Sequence, residues 1–264
     1  MFQRLFPGRI KFLISLFISL MPLNFLRILL YRFINGYQIS LAAKIGFGTI
    51  IMVDKAIIGR VSIGKRNRFQ GPSSLQIKDG ARIGSFNAFL TVDEAKIGCA
   101  SIGQHNLFQG PFSLQIKDGA RIVAHNTFHS GSWVLKAKFQ DAGYQRSCVI
   151  KRDSLITNGH FIDTIGGFEL GERSWLAGRD SQFWTHGAKV MDRSILIGSD
   201  CYISSAVRFS PGSHIGNHSI VGLGSVVTKK FNRHYLLIGG VPAKIIKENY
   251  DWKKHSTLEA PDNE

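Results

Sequence analysis

The chain has 264 residues, 44% apolar and 19% charged, which excludes a disordered polyelectrolyte and allows one large or two small packed domains. A formal net charge of +15 points toward phosphate-bearing partners, but the Lys and Arg are spread without an aromatic-interleaved basic face, so nucleic acid is not expected. Cys99, Cys148 and Cys201 are far apart, fit no metal-ligand spacing, and read as reduced thiols of a cytosolic protein.

Residues 12–26, FLISLFISLMPLNFL, form an apolar run with Arg4, Arg9 and Lys11 before it and Arg27 and Arg32 after it. A spanning helix needs roughly 20 apolar residues; this run is shorter and broken by Pro22. No small-x-small cleavage site follows. Leu23, Leu26, Leu30 and Phe33 fall at helical spacing, and Gly36 suits a helix end. Residues 1–40 are therefore expected as a helical, membrane-interfacial segment of two short helices, basic residues toward lipid headgroups. The alternative is a segment that packs on the domain or on a neighbouring subunit.

From residue 44 the organisation is repetitive. IGRVSIGKRNRFQGPSSLQIKDGARIGSFNAF at 58–89 recurs as IGCASIGQHNLFQGPFSLQIKDGARIVAHNTF at 97–128, an offset of 39. Ile197, Ile203, Phe209, Ile215, Val221 and Val227 then follow one another at steps of six. Six is neither the helical nor the simple strand period. It suits short strands joined by tight corners, each sending one aliphatic inward, three faces to a coil. The 39-residue duplication spans two such coils plus three corner residues, so it preserves the phase. Residues 41–234 are thus expected as a triangular parallel solenoid, with 235–264 as a short C-terminal helix, over 245–255, and a tail.

The ladder resembles the hexapeptide-repeat acyltransferases, whose fold is a left-handed parallel β-helix. SILIGSDCYISSAVRFSPGSHIGNHSIVGLGSVVTKK, followed by GGVPAKIIK, is similar to the C-terminal half of galactoside-type and antibiotic acetyltransferases. The resemblance implies a homotrimer and acetyl-CoA as co-substrate; no metal is expected. It places the family's catalytic His at His186, in SQFWTHG, where the ladder breaks, and an oxyanion contributor at Ser205. A neutral imidazole, of ordinary pKa about 6.5, can take the proton of an attacking hydroxyl near neutral pH. Gly187 is expected to free the backbone at this corner, and Trp184 to wall the site.

By the same resemblance Gly222, Leu223 and Gly224 approach the pantetheine arm, Thr228 and Lys229 its middle, and Lys244 and Lys247 the nucleotide phosphates. Where the family has VTKD and a proline-containing turn, this chain has VTKKFNRHY. Asn158, Asp163, Trp184 and Arg179 are the candidate acceptor-binding residues; Asp163 has the alternative role of orienting His186. WVLKAKFQDAGYQRS at 133–147 is either a loop over the site or a tolerated insertion. His125, His129 and His160 raise a zinc alternative, but the first two match Phe86 and Leu90 in the other repeat copy, which argues for outward positions. The expectation is an O-acetyltransferase acting on a sugar hydroxyl of a surface polysaccharide or lipid-linked precursor, peripheral on the cytosolic face of a bacterial inner membrane. The alternatives are N-acetylation of an amino sugar and a non-enzymatic membrane scaffold.

Overall fold

The computed structural model describes residues 8–187 and 190–255; Arg4 and the expected tail beyond 255 lie outside the described residues. The chain winds through three sheets in turn. Sheet A runs from Gln38–Ile39 to Lys230–Phe231, sheet B from Lys44–Ile45 to Lys244–Lys247, and sheet C from Ile50–Met52 to Val226–Val227. Successive coils pair in parallel, as at Ile197 against Ile215 and Ile203 against Val221. This is the mostly β parallel solenoid expected from the ladder, consistent with the left-handed β-helix that the resemblance implies.

The six-residue step is the cause. Each step makes a strand of a few residues and a corner, and its inward side chain fills the prism: Ile197, Ile203, Phe209, Ile215, Val221 and Val227 are all buried. The duplicated strands Ser74–Ile77 and Ser113–Ile116 both lie in sheet A with Glu94–Ile97 between them, so the repeat does advance the chain by two coils. Along sheet C the rings of Phe69, Phe89, Phe108 and Phe128 stack at 4.7, 4.4 and 4.6 Å. At the corner between sheets B and C, Asn87, Asn106 and Asn126 each donate to the Oδ1 of the asparagine one coil earlier, a buried polar column with its bonds made. Both columns change at the next coil, where His160 follows Asn126 and Ile162 follows Phe128.

Helices α1 (Gly8–Ser19) and α2 (Asn24–Asn35) lie across the first coil. No earlier coil pairs with that edge, and its backbone groups need other partners. Tyr31 Oη donates to Thr49 O (3.0 Å) and accepts from Ile51 N (3.1 Å), and Arg27 Nη2 donates to Ile45 O (2.7 Å). Among the described residues no helix is long and apolar enough to cross a membrane. At the other end the helix expected over 245–255 is confined to one 3-10 turn, Trp252–His255. Lys244–Lys247 instead turns back antiparallel against Leu237–Gly239, because the last coil leaves an open edge of sheet B that a strand satisfies and a helix would not.

Candidate active site

Most corners between sheets C and A take a few residues. Two are long: residues 130–146, after Thr127–His129, and residues 184–194, after Gln182–Phe183. The coil between them carries Phe161–Asp163, whose register against Gln182 and Phe183 brings Asp163 under the second long corner.

There Asp163, 1% exposed, has its oxygens fully engaged. Its Oδ2 accepts from Thr185 N and Thr185 Oγ1, both at 2.9 Å, and lies 2.6 Å from His186 Nδ1. Ile165 N donates to Oδ1 at 3.2 Å. A carboxylate that accepts from Nδ1–H fixes the tautomer of the ring, leaving Nε2 as the proton acceptor. The His186 side chain is 37% exposed, open on the side away from Asp163. Asp163 is therefore a positioning residue, not the sugar contact that was the other expectation: buried, with both oxygens bonded to the chain, it has no face left for a ligand. Gly187 also differs from expectation. Its backbone is outside the left-handed region, and a Cβ there would meet Val190 Cγ2 at 3.3 Å, so closeness rather than conformational freedom favours glycine.

The first long corner folds over this pair. The Trp133 ring sits 5.9 Å from the His186 ring and meets Phe139 and Tyr144 edge-on at 4.8 and 5.5 Å. Arg193, from the second corner, locks the two together: its Nη1 donates to Ala142 O at 2.7 Å and its guanidinium lies 4.3 Å over the Tyr144 ring. The segment 133–147 is thus a hood over His186 and not a neutral insertion. Trp184, 40% exposed, leans on Phe161 at 4.7 Å along the adjoining edge of sheet C. Trp133, Tyr144, Arg193 and Thr185 were not singled out as site residues in the sequence. Their signal there is the unusual length of the two corners.

The remaining site residues fall elsewhere. Asn158 and Arg179 are neighbours in sheet B, Arg179 N donates to Ser205 Oγ at 3.3 Å, and Gly224 N donates to Ser205 O at 3.1 Å. These residues line the B–C corner, so within one chain the width of sheet C separates Asn158, Arg179 and Ser205 from His186. Their expected convergence on His186 does not occur in the single chain. Gly222, Leu223 and Gly224 top the same corner. Leu223 is exposed, and a Cβ on Gly224 would meet nothing within 4 Å, which leaves bare backbone for a ligand to lie against. Thr228 and Lys229 follow Val226–Val227 at the C–A corner, and Lys244 and Lys247 are exposed on the returning strand. An exposed backbone ridge beside a strand that carries Lys244 and Lys247 fits a long arm ending in phosphates, while Lys229 stands across sheet C from it.

Among the other histidines, His125 stacks on His105 at 5.0 Å in the B–C corner. His160 is buried beside Thr157 Oγ1 at 3.1 Å, and burial lowers its pKa to about 4. Among the described residues no three His, Cys, Asp or Glu side chains converge as a metal site.

No family model matches the chain. It is 41% identical over 61 residues to the galactoside O-acetyltransferase of Escherichia coli (strain K12), a match covering 23% of this chain and 30% of that protein. It is 38% identical over 63 residues to a chloramphenicol acetyltransferase of Klebsiella aerogenes, covering 24% and 30%. The chain thus spans less than a third of the length of the curated relatives it matches. Among solved structures it is similar to a UDP-N-acetylglucosamine acyltransferase from Arabidopsis, with a TM-score of 0.53 at 16% identity over 81% of this chain and 73% of that one; this likeness is one of fold. The hexapeptide-repeat acyltransferase resemblance read in the sequence is borne out, and the curated relatives matched are acetyltransferases.

Proposed function

We propose that the protein is an O-acetyltransferase that moves an acetyl group from acetyl-CoA to a sugar hydroxyl of a surface polysaccharide or lipid-linked precursor, with His186 as general base. The observation that carries this reading is the 2.6 Å contact between His186 Nδ1 and a buried, fully bonded Asp163. It holds the imidazole in one tautomer, with Nε2 left as the proton acceptor on a partly exposed ring beside the Trp133 hood. A hydroxyl placed at Nε2 gives up its proton there as it attacks, and Asp163 stabilises the imidazolium that forms. Bound acetyl-CoA supplies an acyl group already activated as a thioester, so no nucleophilic side chain is needed. Lys244 and Lys247 would hold its phosphates, Thr228 and Lys229 would lie near the middle of its arm, and the ridge at Gly222–Gly224 would let the arm approach the backbone. The hood covers one side of the base, and Trp133 and Trp184 offer flat surfaces on which a sugar ring stacks.

The separation of corners supports a homotrimer. Ser205 and the Gly222–Gly224 ridge lie one face away from His186, so the site is complete only where the B–C corner of one copy meets the C–A corner of another. The test is direct: incubate the protein with acetyl-CoA and membrane-extracted glycolipid, and follow the products by mass spectrometry. Acetylated saccharide supports the reading. Absence of acetyl-CoA binding by calorimetry removes it and favours a non-enzymatic scaffold. Alkali-labile product marks an ester, and alkali-stable product an amide on an amino sugar.

A further inference from the structure

The two N-terminal helices each turn one face to the first coil, where Ser15, Ile18 and Ser19 of α1 and Arg27, Ile28 and Tyr31 of α2 are buried. Their opposite faces are not polar. Ile10, Leu13 and Phe17 on α1 and Leu20 just after it recur at steps of three, four and three, and all four are exposed. Leu23, just before α2, is exposed too, with Phe25, Leu26 and Phe33 on it; Phe33 is 79% exposed. The side of a surface helix that faces away from its domain is ordinarily charged. Here the outermost layer at this end of the solenoid is a contiguous apolar surface, the kind that marks an interaction site.

Charge identifies what covers it. Residues 1–60 contain eight Lys and Arg and a single acidic residue, Asp54. Arg9 and Arg32 are exposed on the helices, and Lys44 and Lys55 on the coils next to them. An apolar helix face bordered by cations fits the headgroup and upper acyl region of an anionic bilayer, where both interactions add. A second protein copy would bring the same positive charge against itself.

We propose that the helix pair docks flat on an anionic lipid bilayer and that the coils above it hold His186 at a fixed height. Sheet C passes from Ile50–Met52 to Gln182–Phe183 in six strand steps. At about 4.8 Å per step His186 stands about 29 Å above the first coil, and a helix layer of about 10 Å lies beneath that. The duplicated segment contributes two of these coils, about 10 Å of the rise. Taken with the proposed acetyl transfer, which this consequence rests on, the height selects hydroxyls several sugar units out from the lipid, not those at the headgroup.

Docking and activity are read separately, so either can fail alone. Full-chain protein is floated with vesicles of phosphatidylcholine, with and without phosphatidylglycerol. It should float with the anionic vesicles, and Leu13→Glu with Phe17→Glu should reduce the bound fraction at least tenfold at unchanged melting temperature. Phe33→Ser, on the other helix, repeats the test if the double variant is unstable. No flotation, flotation unaffected by either variant, or a lipid-free change of oligomeric state in the variants overturns the proposal, the last because it makes the face a protein interface. For the height, a dye on Cys99, an exposed thiol, is compared with one on Met191→Cys in a Cys99→Ser background. Energy transfer to a membrane-surface dye should be clearly weaker from position 191. Equal transfer from both sites overturns the upright arrangement.

Discussion

Replacing Asp163 by asparagine is the sharpest perturbation of the site, because the side chain keeps its shape and loses only its charge and one acceptor. Two orientations are open to the amide. With its oxygen in the place of Oδ2 it still accepts from Thr185 N, Thr185 Oγ1 and His186 Nδ1, and opposes only the Ile165 N–H, now 3.2 Å from another donor. The reverse orientation sets its NH2 against the Thr185 N–H and His186 together, and so is the worse. The favoured form leaves two buried donor groups, the Ile165 N–H and the new amide NH2, without an acceptor, a cost of about 1–3 kcal/mol each in stability. It keeps the tautomer but removes the carboxylate that faces the imidazolium. Two unit charges about 4 Å apart at an effective dielectric near 20 interact by about 4 kcal/mol. With roughly half a proton transferred in the transition state, about 2 kcal/mol of that is lost, some thirtyfold in kcat. The assay is coenzyme A release at saturating acetyl-CoA, with acceptor affinity measured alongside. A variant that keeps more than a third of wild-type kcat would refute the positioning role, as would one whose loss lies wholly in the acceptor KM.

Three further outcomes follow. Trp133→Ala opens the hood, so the acceptor KM should rise about tenfold and hydrolysis of acetyl-CoA without acceptor should increase; unchanged values for both would separate Trp133 from the site. His160 is neutral in the fold, its pKa lowered to about 4 by burial, so between about pH 6.5 and 4 the unfolded chain binds a proton that the folded one does not. Stability should therefore be full above pH 6.5 and fall by about 3 kcal/mol as pH drops to 4, seen as a shift in urea midpoint that His160→Gln flattens. Burial alone would raise the pKa of Asp200, but hydrogen bonds and charge from Arg173 and Lys253 outweigh it and hold it at about 2. That stabilisation is present above about pH 4 and lost as pH falls toward 2. Asp200→Asn at pH 7 should cost about 2 kcal/mol and loosen the Trp252 turn, because the Lys253 ion pair to the Asp200 side chain is lost and the turn is left with the bond from Trp252 Nε1 to the Asp200 backbone carbonyl; a red shift in tryptophan emission reads it.

How far the site was legible depends on which residues the six-residue step reaches. Ile197 to Val227 declare the coil directly, since each inward position must be apolar and each corner small. The duplication declares the phase. The break at SQFWTHG flagged His186 because the corner departs from that rule. What escaped is set by contacts between corners of different length. Trp133 reaches His186 from two coils away through a hood whose length bears no relation to the step, so no spacing points to it. The partnership of Asp163 with Thr185 depends on register across a coil that interrupts the regular count. The placement of Ser205 was in principle countable: it follows Ile203, on sheet B, whereas His186 follows Phe183, on sheet C, so the two belong to different corners. At the C-terminus, local pattern in KIIKENYDWKKH lost to the open edge of sheet B, which only the tertiary structure reveals.

The central claim is that His186 takes the proton of an acceptor hydroxyl during acetyl transfer. It is tested most directly by coenzyme A release from acetyl-CoA, corrected for hydrolysis, with membrane-extracted glycolipid as acceptor, for wild type and His186→Ala. The account predicts a loss of at least about a hundredfold in turnover, with melting temperature, oligomeric state and acetyl-CoA binding retained. Unchanged turnover in the variant would contradict it.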